Sequence, residues 1–209
     1  FFLSEQKSVH LFMIGVGLIG STLLDQLKQQ QVSIKERYNT NITVHGLANS
    51  RKMLIRSEGI PLSTWREHLE KDGIQSNPSL FLEKMIDTDL SNAIFIDNTA
   101  SKEIPTLYDV VLENNISIAT SNKVAASSPY EYYSKLKDLA YKKGVHFQYE
   151  TNVGAGLPII SSLRNLTNSG DDVVGIQAIL SGSLSFIFNH FDGSKPFSEL
   201  VQEAKEKGF

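Results

Sequence analysis

Acid–base chemistry near neutral pH needs side chains that move protons or hold charge, and three short polar stretches carry them directly behind apolar runs. Asp97-Asn98-Thr99-Ala100-Ser101 follows Ala93-Ile94-Phe95-Ile96, and Thr120-Ser121-Asn122-Lys123 follows Ile116-Ser117-Ile118-Ala119. Glu150-Thr151-Asn152-Val153-Gly154-Ala155-Gly156 follows Val145-His146-Phe147-Gln148-Tyr149. A lysine in such a position, once desolvated, polarises a carbonyl or relays a proton. Lys123 is therefore the best single candidate for a catalytic group, the alternative being a surface lysine. Gly154-Ala155-Gly156 implies a tightly turned backbone, which can aim carbonyl oxygens at a hard cation or N–H groups at an anion. The alternative there is a plain connection into a helix that Pro158 opens.

A fourth stretch, Gly15-Val16-Gly17-Leu18-Ile19-Gly20, matches the dinucleotide fingerprint in the context that gives it meaning, between the apolar run Val9–Ile14 and a helical pattern. Gly15 permits the tight turn, Gly17 lets the backbone approach a pyrophosphate and Gly20 lets the helix pack closely. The helix N-terminus then offers free N–H groups and partial positive charge to the anion. A purely structural glycine turn is the competing reading. After the next run, Ile42–Leu47, NAD enzymes place an acidic residue for the ribose hydroxyls, but here Ala48-Asn49-Ser50-Arg51-Lys52 follows. Arg51 can pair with a 2′-phosphate, which favours NADP with NAD as the alternative. If Arg51 and Lys52 merely begin a solvated helix, that preference disappears.

Other chemistries lose support. The absence of cysteine removes disulfides, thiolate metal sites and cysteine nucleophiles, and suits a reducing cytoplasm. The five histidines show no close pairing at ligand spacing. Gly182-Ser183-Leu184-Ser185 does not complete the hydrolase elbow.

The elements that must position these groups follow from the pattern. Apolar runs separated by helical periodicities specify βαβ units, hence a doubly wound Rossmann-type parallel sheet, class α/β, over residues 1–150. Leu18, Ile19, Leu23, Leu24 and Leu27 recur at helical spacing. Ser128-Pro129 with Glu131 predicts a capping box opening a helix that runs to about Lys143 and stops at Gly144. Residues 151–209 read as the start of an incomplete α+β domain: a helix from Pro158 to Asn168, a strand over Val173–Leu180, the loop Ser181-Gly182-Ser183, and a helix over Phe197–Lys207 closed by Gly208.

Hydrophobic residues at 41% and charged residues at 21% describe an ordinary globular chain of 209 residues. A net charge of -3 without a basic stripe argues against nucleic acid. No apolar run reaches the roughly 20 residues that span a bilayer, and Phe1-Phe2-Leu3-Ser4 is too short for a signal peptide. The missing initiator Met suggests that neither end is a natural terminus.

Taken together, Gly15–Gly20, Ala48-Asn49-Ser50, Asn122-Lys123, Glu150–Pro158 and Leu180-Ser181-Gly182-Ser183-Leu184-Ser185-Phe186-Ile187-Phe188 resemble homoserine dehydrogenases, particularly the dehydrogenase half of bifunctional aspartokinase–homoserine dehydrogenases. The resemblance covers nearly the whole chain. It implies reversible hydride transfer between NADP(H) and the homoserine/aspartate semialdehyde pair on the route to threonine, methionine and isoleucine, in a cytoplasmic homo-oligomer. It implies Lys123 as the lysine near the nicotinamide. Cofactor contacts are implied at Gly15, Val16, Gly17, Leu18, Ile19, Gly20, Asn49, Ser50, Arg51, Thr99, Ala100, Ser101, Asn122 and Lys123, and substrate contacts at Asn152, Gly154, Ser181, Gly182 and Ser183. It further implies a monovalent cation such as sodium, held by backbone oxygens around Glu150, Val153, Ala155 and Leu157. The family continues past the helix matching Phe197–Lys207 into an acidic substrate-binding stretch and a second lysine, so part of the active site and dimerisation sheet is expected beyond Phe209. A non-catalytic NADP-binding or sensing module is the second reading. Aspartate-semialdehyde dehydrogenase is set aside, because its chemistry uses a cysteine.

Overall fold

A computed structural model of the chain describes residues 6–208, so the opening Phe1-Phe2-Leu3-Ser4 lies outside the described residues. Among them, seven strands form one sheet: β1 (Lys7–Ile14), β2 (Thr40–Ala48), β3 (Lys52–Ile55), β4 (Ile74–Gln75), β5 (Ala93–Asp97), β6 (Ser117–Thr120) and β7 (Phe147–Gln148). Their order is β4-β3-β2-β1-β5-β6-β7. The β1, β2, β5, β6 and β7 ladders are parallel, while β3 and β4 add antiparallel at one edge. The antiparallel edge differs from the all-parallel expectation: Lys52 begins a strand, not a solvated helix.

Alternation along β1 explains the two layers. Phe12 and Ile14 enter one cluster with Phe81, Leu82 and Met85 of α3 (Pro78–Asp87), Tyr108, Val111 and Leu112 of α4 (Tyr108–Glu113), and Leu136 and Ala140 of α5 (Tyr130–Lys143). Leu11 and Met13 enter the other with Leu24 of α1 (Leu18–Tyr38) and Trp65 and Leu69 of α2 (Trp65–Asp72). Helices on both faces of a mainly parallel sheet make this a doubly wound fold. The β1–β2 register shifts between Leu11, paired with Val44, and Phe12, paired with Gly46, so that His45 is the extra residue of a bulge. Its buried ring meets His10 with the nitrogens 2.8 Å apart, and its Nδ1 faces the Arg56 carbonyl at 3.0 Å.

Two local expectations change and a third holds. Leu18 and Ile19, at helical spacing with Leu24, are exposed in the first turn of α1, whereas Leu24 is buried. Ser128 does not cap α5: its hydroxyl donates to the Ala125 carbonyl at 2.7 Å and Pro129 takes the N-cap position. The short helical turn Ala125–Ser127 supplies that nearer acceptor. Gly144 ends α5 in the left-handed region, as its position predicts.

The chain divides into compact units at Asn152/Val153. The second unit holds α6 (Ile159–Asn168), α7 (Gly182–His190) and α8 (Phe197–Glu206). Phe197 of α8 packs edge-on against Phe191 at 5.5 Å, and Ile187, Leu200 and Ala204 are buried. The strand expected over Val173–Leu180 does not form. An extended segment becomes a strand only when a neighbouring backbone takes its N–H and C=O groups, and no described residue of this unit pairs with it. Ser181-Gly182-Ser183 is not a loop either. Ser181 caps α7, its hydroxyl accepting from the Leu184 N–H at 3.2 Å.

Candidate nucleotide site

The carboxyl ends of the parallel strands bring the singled-out segments together around the start of α1, at the switch between β1–β2 and β1–β5. The three fingerprint glycines meet three different surroundings. Gly15 has φ +97°, and a Cβ there would lie 2.7 Å from the Asn98 backbone. A Cβ on Gly20 would lie 2.0 Å from the Gly15 carbonyl oxygen. A Cβ on Gly17, the N-cap of α1, would meet nothing within 4 Å. Close packing therefore demands Gly15 and Gly20, whereas the space over Gly17 is open. The first turn of α1 carries no acidic residue and Gly17 supplies no side-chain cap, so its N–H groups face outward at the positive end of the helix dipole. A nucleotide pyrophosphate fits this cradle.

Two cavities flank the glycine loop. One of about 390 Å³ is lined by Gly15, Asn49, Ser50, Ser76, Thr99 and Ser101, among others. The other, about 490 Å³, lies along α1 and includes Leu18, Ile19, Asn98, Ser121, Glu150 and Thr151. The exposed Leu18 and Ile19 thus form an apolar wall of this second cavity.

At the end of β2, Asn49 builds the turn into β3, its Oδ1 accepting from the N–H groups of Arg51 and Lys52, both at 2.8 Å. Lys52 then turns away and pairs with Glu70 at 2.9 Å. The guanidinium of Arg51 forms no ion pair among the described residues. Of the two adjacent cations, Arg51 is the one left available.

The ends of β5 and β6 are joined by a buried polar cluster that the candidate residues only partly announced. Asp97 is fully buried; its Oδ1 accepts from the Thr99 N–H at 2.7 Å, and its Oδ2 from the Tyr108 hydroxyl at 2.7 Å and Asn122 Nδ2 at 3.0 Å. Burial pushes the Asp97 carboxyl above its ordinary range, against the lowering effect of these hydrogen bonds. Burial, and then the Asp97 charge, raises the Tyr108 phenol. Asn122, 2% exposed, spends its whole amide here: Nδ2 also reaches the Ser101 carbonyl at 2.8 Å and Thr99 Oγ1 at 3.3 Å, and Oδ1 accepts from the Val124 N–H. Its own carbonyl accepts from Asn152 Nδ2 at 3.2 Å, tying in the segment after β7. Asn122 is therefore buried, with both amide atoms already hydrogen-bonded to their neighbours. Lys123, next in sequence, is exposed. Tyr108 carries no sequence signal, whereas a lone carboxylate closing the apolar run Ala93–Ile96 is a signal for Asp97.

Val16, Ala100 and Ser50 also lie on these loops, and Glu150 opens a short helical turn, Glu150–Asn152, in the first unit. Val153, Ala155 and Leu157 belong to the second unit, on a loop turned by successive positive φ values at Gly154 (72°) and Ala155 (50°). Among the described residues, no group of three His, Cys, Asp or Glu could hold a metal ion, and no helix is long and apolar enough to cross a membrane.

The sheet order, the glycine cradle and the strand-end loops define a dinucleotide-binding α/β protein of the doubly wound class. The homoserine dehydrogenase NAD-binding domain family matches residues 15–150, and the homoserine dehydrogenase family matches residues 158–209. The chain belongs to the homoserine dehydrogenase family. It is 43% identical over its whole length to the chloroplastic bifunctional aspartokinase/homoserine dehydrogenase 2 of Arabidopsis thaliana. It is 39% identical, over 98% of its length, to the bifunctional enzyme of Buchnera aphidicola. The chain spans only 23% and 25% of those relatives. Among solved structures, a Candida auris protein of unknown function superposes with a TM-score of 0.80 at 30% identity, covering 97% of this chain and 56% of that one. A hyperthermophilic archaeal homoserine dehydrogenase mutant in complex with NADPH gives 0.78 at 22% identity, covering 96% and 61%, a likeness of fold.

Proposed function

We propose that this chain supplies the NADP-binding part, and some of the substrate contacts, of an enzyme that interconverts L-homoserine and L-aspartate 4-semialdehyde. The carrying observation is the open cradle over Gly17 at the start of α1, next to Gly15, which packs against Asn98 and Thr99 of the loop after β5. Gly15 to Gly20 hold the pyrophosphate, Asn49, Ser50 and Arg51 hold the phosphorylated ribose, and Thr99, Ala100 and Ser101 border the nicotinamide half. The bound nicotinamide supplies or accepts the hydride. Lys123 donates the proton to the aldehyde oxygen on reduction and removes it on oxidation, for which its exposed side chain must be desolvated by substrate and cofactor.

Asn152, whose Nδ2 is committed to the Asn122 carbonyl while its buried Oδ1 has no partner, offers that oxygen to substrate. Gly154, Ser181, Gly182 and Ser183 have the same proposed role from the second unit. Carbonyl oxygens of Glu150, Val153, Ala155 and Leu157 suit a monovalent cation such as sodium, on a stretch tightly turned by the positive φ values at Gly154 and Ala155. A cytoplasmic homo-oligomer belongs to the same proposal.

Calorimetric titration with NADPH, followed by aspartate semialdehyde with absorbance readout, tests it. Cofactor binding with oxidation supports the enzyme; binding without turnover supports the reading as a cofactor-binding part or sensor. No NADPH binding removes the proposal at its base.

A further inference from the structure

We propose that Asp97 is a positioning residue for the nicotinamide end of the cofactor, acting through Asn122 and Thr99 on the loop that carries Lys123. The inference rests on the cofactor reading above and deepens it.

Asp97 is an unusual residue to find at the end of a central strand. It is fully buried, and no Lys, Arg or His among the described residues lies within ion-pairing distance. A buried carboxylate without a cation is costly unless hydrogen bonds satisfy it. Here three neutral donors do so: the Thr99 N–H, the Tyr108 hydroxyl and the Asn122 amide. A carboxylate is the side chain of this size that accepts on both branches. Asparagine in its place would turn an NH₂ group toward either the Thr99 N–H or the Asn122 amide.

Each donor sits on a different part of the site. Thr99 belongs to the loop after β5, Asn122 to the loop after β6, and Tyr108 to α4 behind them. Asn122 also holds Ser101 and receives Asn152, so the carboxylate fixes three strand-end loops through one neighbour. Lys123 forms no side-chain hydrogen bond or ion pair among the described residues; its placement depends on the backbone of Asn122. Tyr108 is in turn braced by Thr120, whose Oγ1 lies 2.8 Å from the phenol oxygen. The residues proposed for the adenosine end, Asn49 to Arg51, border the same cavity as Thr99 and Ser101 but make no hydrogen bond to this cluster, a separation in bonding.

That separation gives a test that general destabilisation does not mimic. Asp97→Asn and Tyr108→Phe are compared with the unaltered 209-residue chain by calorimetry, using NADPH and adenosine 2′,5′-bisphosphate, which probes only the adenosine end. Asp97→Asn should weaken NADPH about tenfold, and Tyr108→Phe about threefold, while the bisphosphate changes by less than about twofold. NADPH affinity within about twofold of the unaltered chain in folded Asp97→Asn overturns the proposal. So does an equal loss of both probes, which assigns Asp97 to the fold alone. If Asp97→Asn does not fold, Tyr108→Phe decides by the same criteria. Failure of the unaltered chain to bind either probe refutes the cofactor reading itself, a result distinct from the others.

Discussion

Two glycines three residues apart should respond oppositely to the same added methyl group. In Gly20→Ala, the new Cβ would fall 2.0 Å from the Gly15 carbonyl oxygen, with Met13 Sδ at 3.2 Å behind it. The helix start and the glycine loop must separate, and overpacking of this kind costs about 1–3 kcal/mol. At roughly 2–4 °C per kcal/mol for a chain of this size, the melting temperature should fall by about 2–12 °C. In Gly17→Ala, the Cβ enters open space at φ -70°. The loss of a better N-cap residue, about 0.5–1 kcal/mol, is offset by the reduced entropy of the unfolded chain, about 0.4–1 kcal/mol. Stability should stay within about 1 kcal/mol. Yet the methyl group projects into the proposed pyrophosphate cradle, where an overlap of about 1–3 kcal/mol weakens NADPH about 5- to 150-fold. Differential scanning fluorimetry and calorimetric titration read the two effects separately. A Gly17→Ala variant that melts early, or that binds NADPH normally, refutes the assignment of the open space to ligand, and an unshifted Gly20→Ala refutes the packing argument.

Arg51→Ala should cost NADPH about 10- to 100-fold by removing charge-assisted hydrogen bonds to the 2′-phosphate, and leave NADH affinity unchanged; equal losses for both cofactors would deny Arg51 that role. Lys52→Ala should have a much smaller effect, since that side chain is already held by Glu70. Burial, reinforced by His45, lowers the pKa of His10, so the native state holds that proton less tightly than the unfolded chain. His10 therefore contributes stability above about pH 6.5 that is lost as pH falls through the window below it, and urea midpoints against pH should show a slope there that His10→Gln reduces. The nearby Glu58 carboxyl is held below its ordinary range by its own backbone N–H and the Ser57 hydroxyl, so a slope unchanged in His10→Gln would count against the assignment.

The parts of the fold written in local pattern were readable before any coordinates. Ala93–Asp97 is a short apolar run with both ends marked, and it is β5 residue for residue. Gly144 stops α5 because the left-handed turn there suits glycine. The edge strands were not readable: Lys52–Ile55 mixes charge with apolar residues over four positions, and Ile74–Gln75 has only two. What makes them strands is pairing with β2 and with one another across a connection containing α2, information no local window holds. Val173–Leu180 failed in the other sense, having the β-branched texture but no backbone beside it. At the site, the glycine motif and the polar strand ends were visible as types and spacings. The Tyr108–Asp97–Asn122 contacts were not, because they join positions 11 and 25 residues apart. Nor does the sequence reveal that the Asn122 amide bonds Asp97, Ser101 and Val124.

The tie at Asn122 also bears on motion. Local openings in a protein follow cooperative units, so protons held by one shared knot exchange with solvent together. The Thr99, Asn122 and Val124 N–H groups all end on Asp97, Thr120 or Asn122 side chains of this knot. Because Asp97, Thr120 and Asn122 are themselves joined by side-chain hydrogen bonds, the three N–H groups should exchange at similar rates, as the rim of the site loosens in a single step. A ligand arriving there meets one cooperatively held edge in place of three loops fluctuating independently.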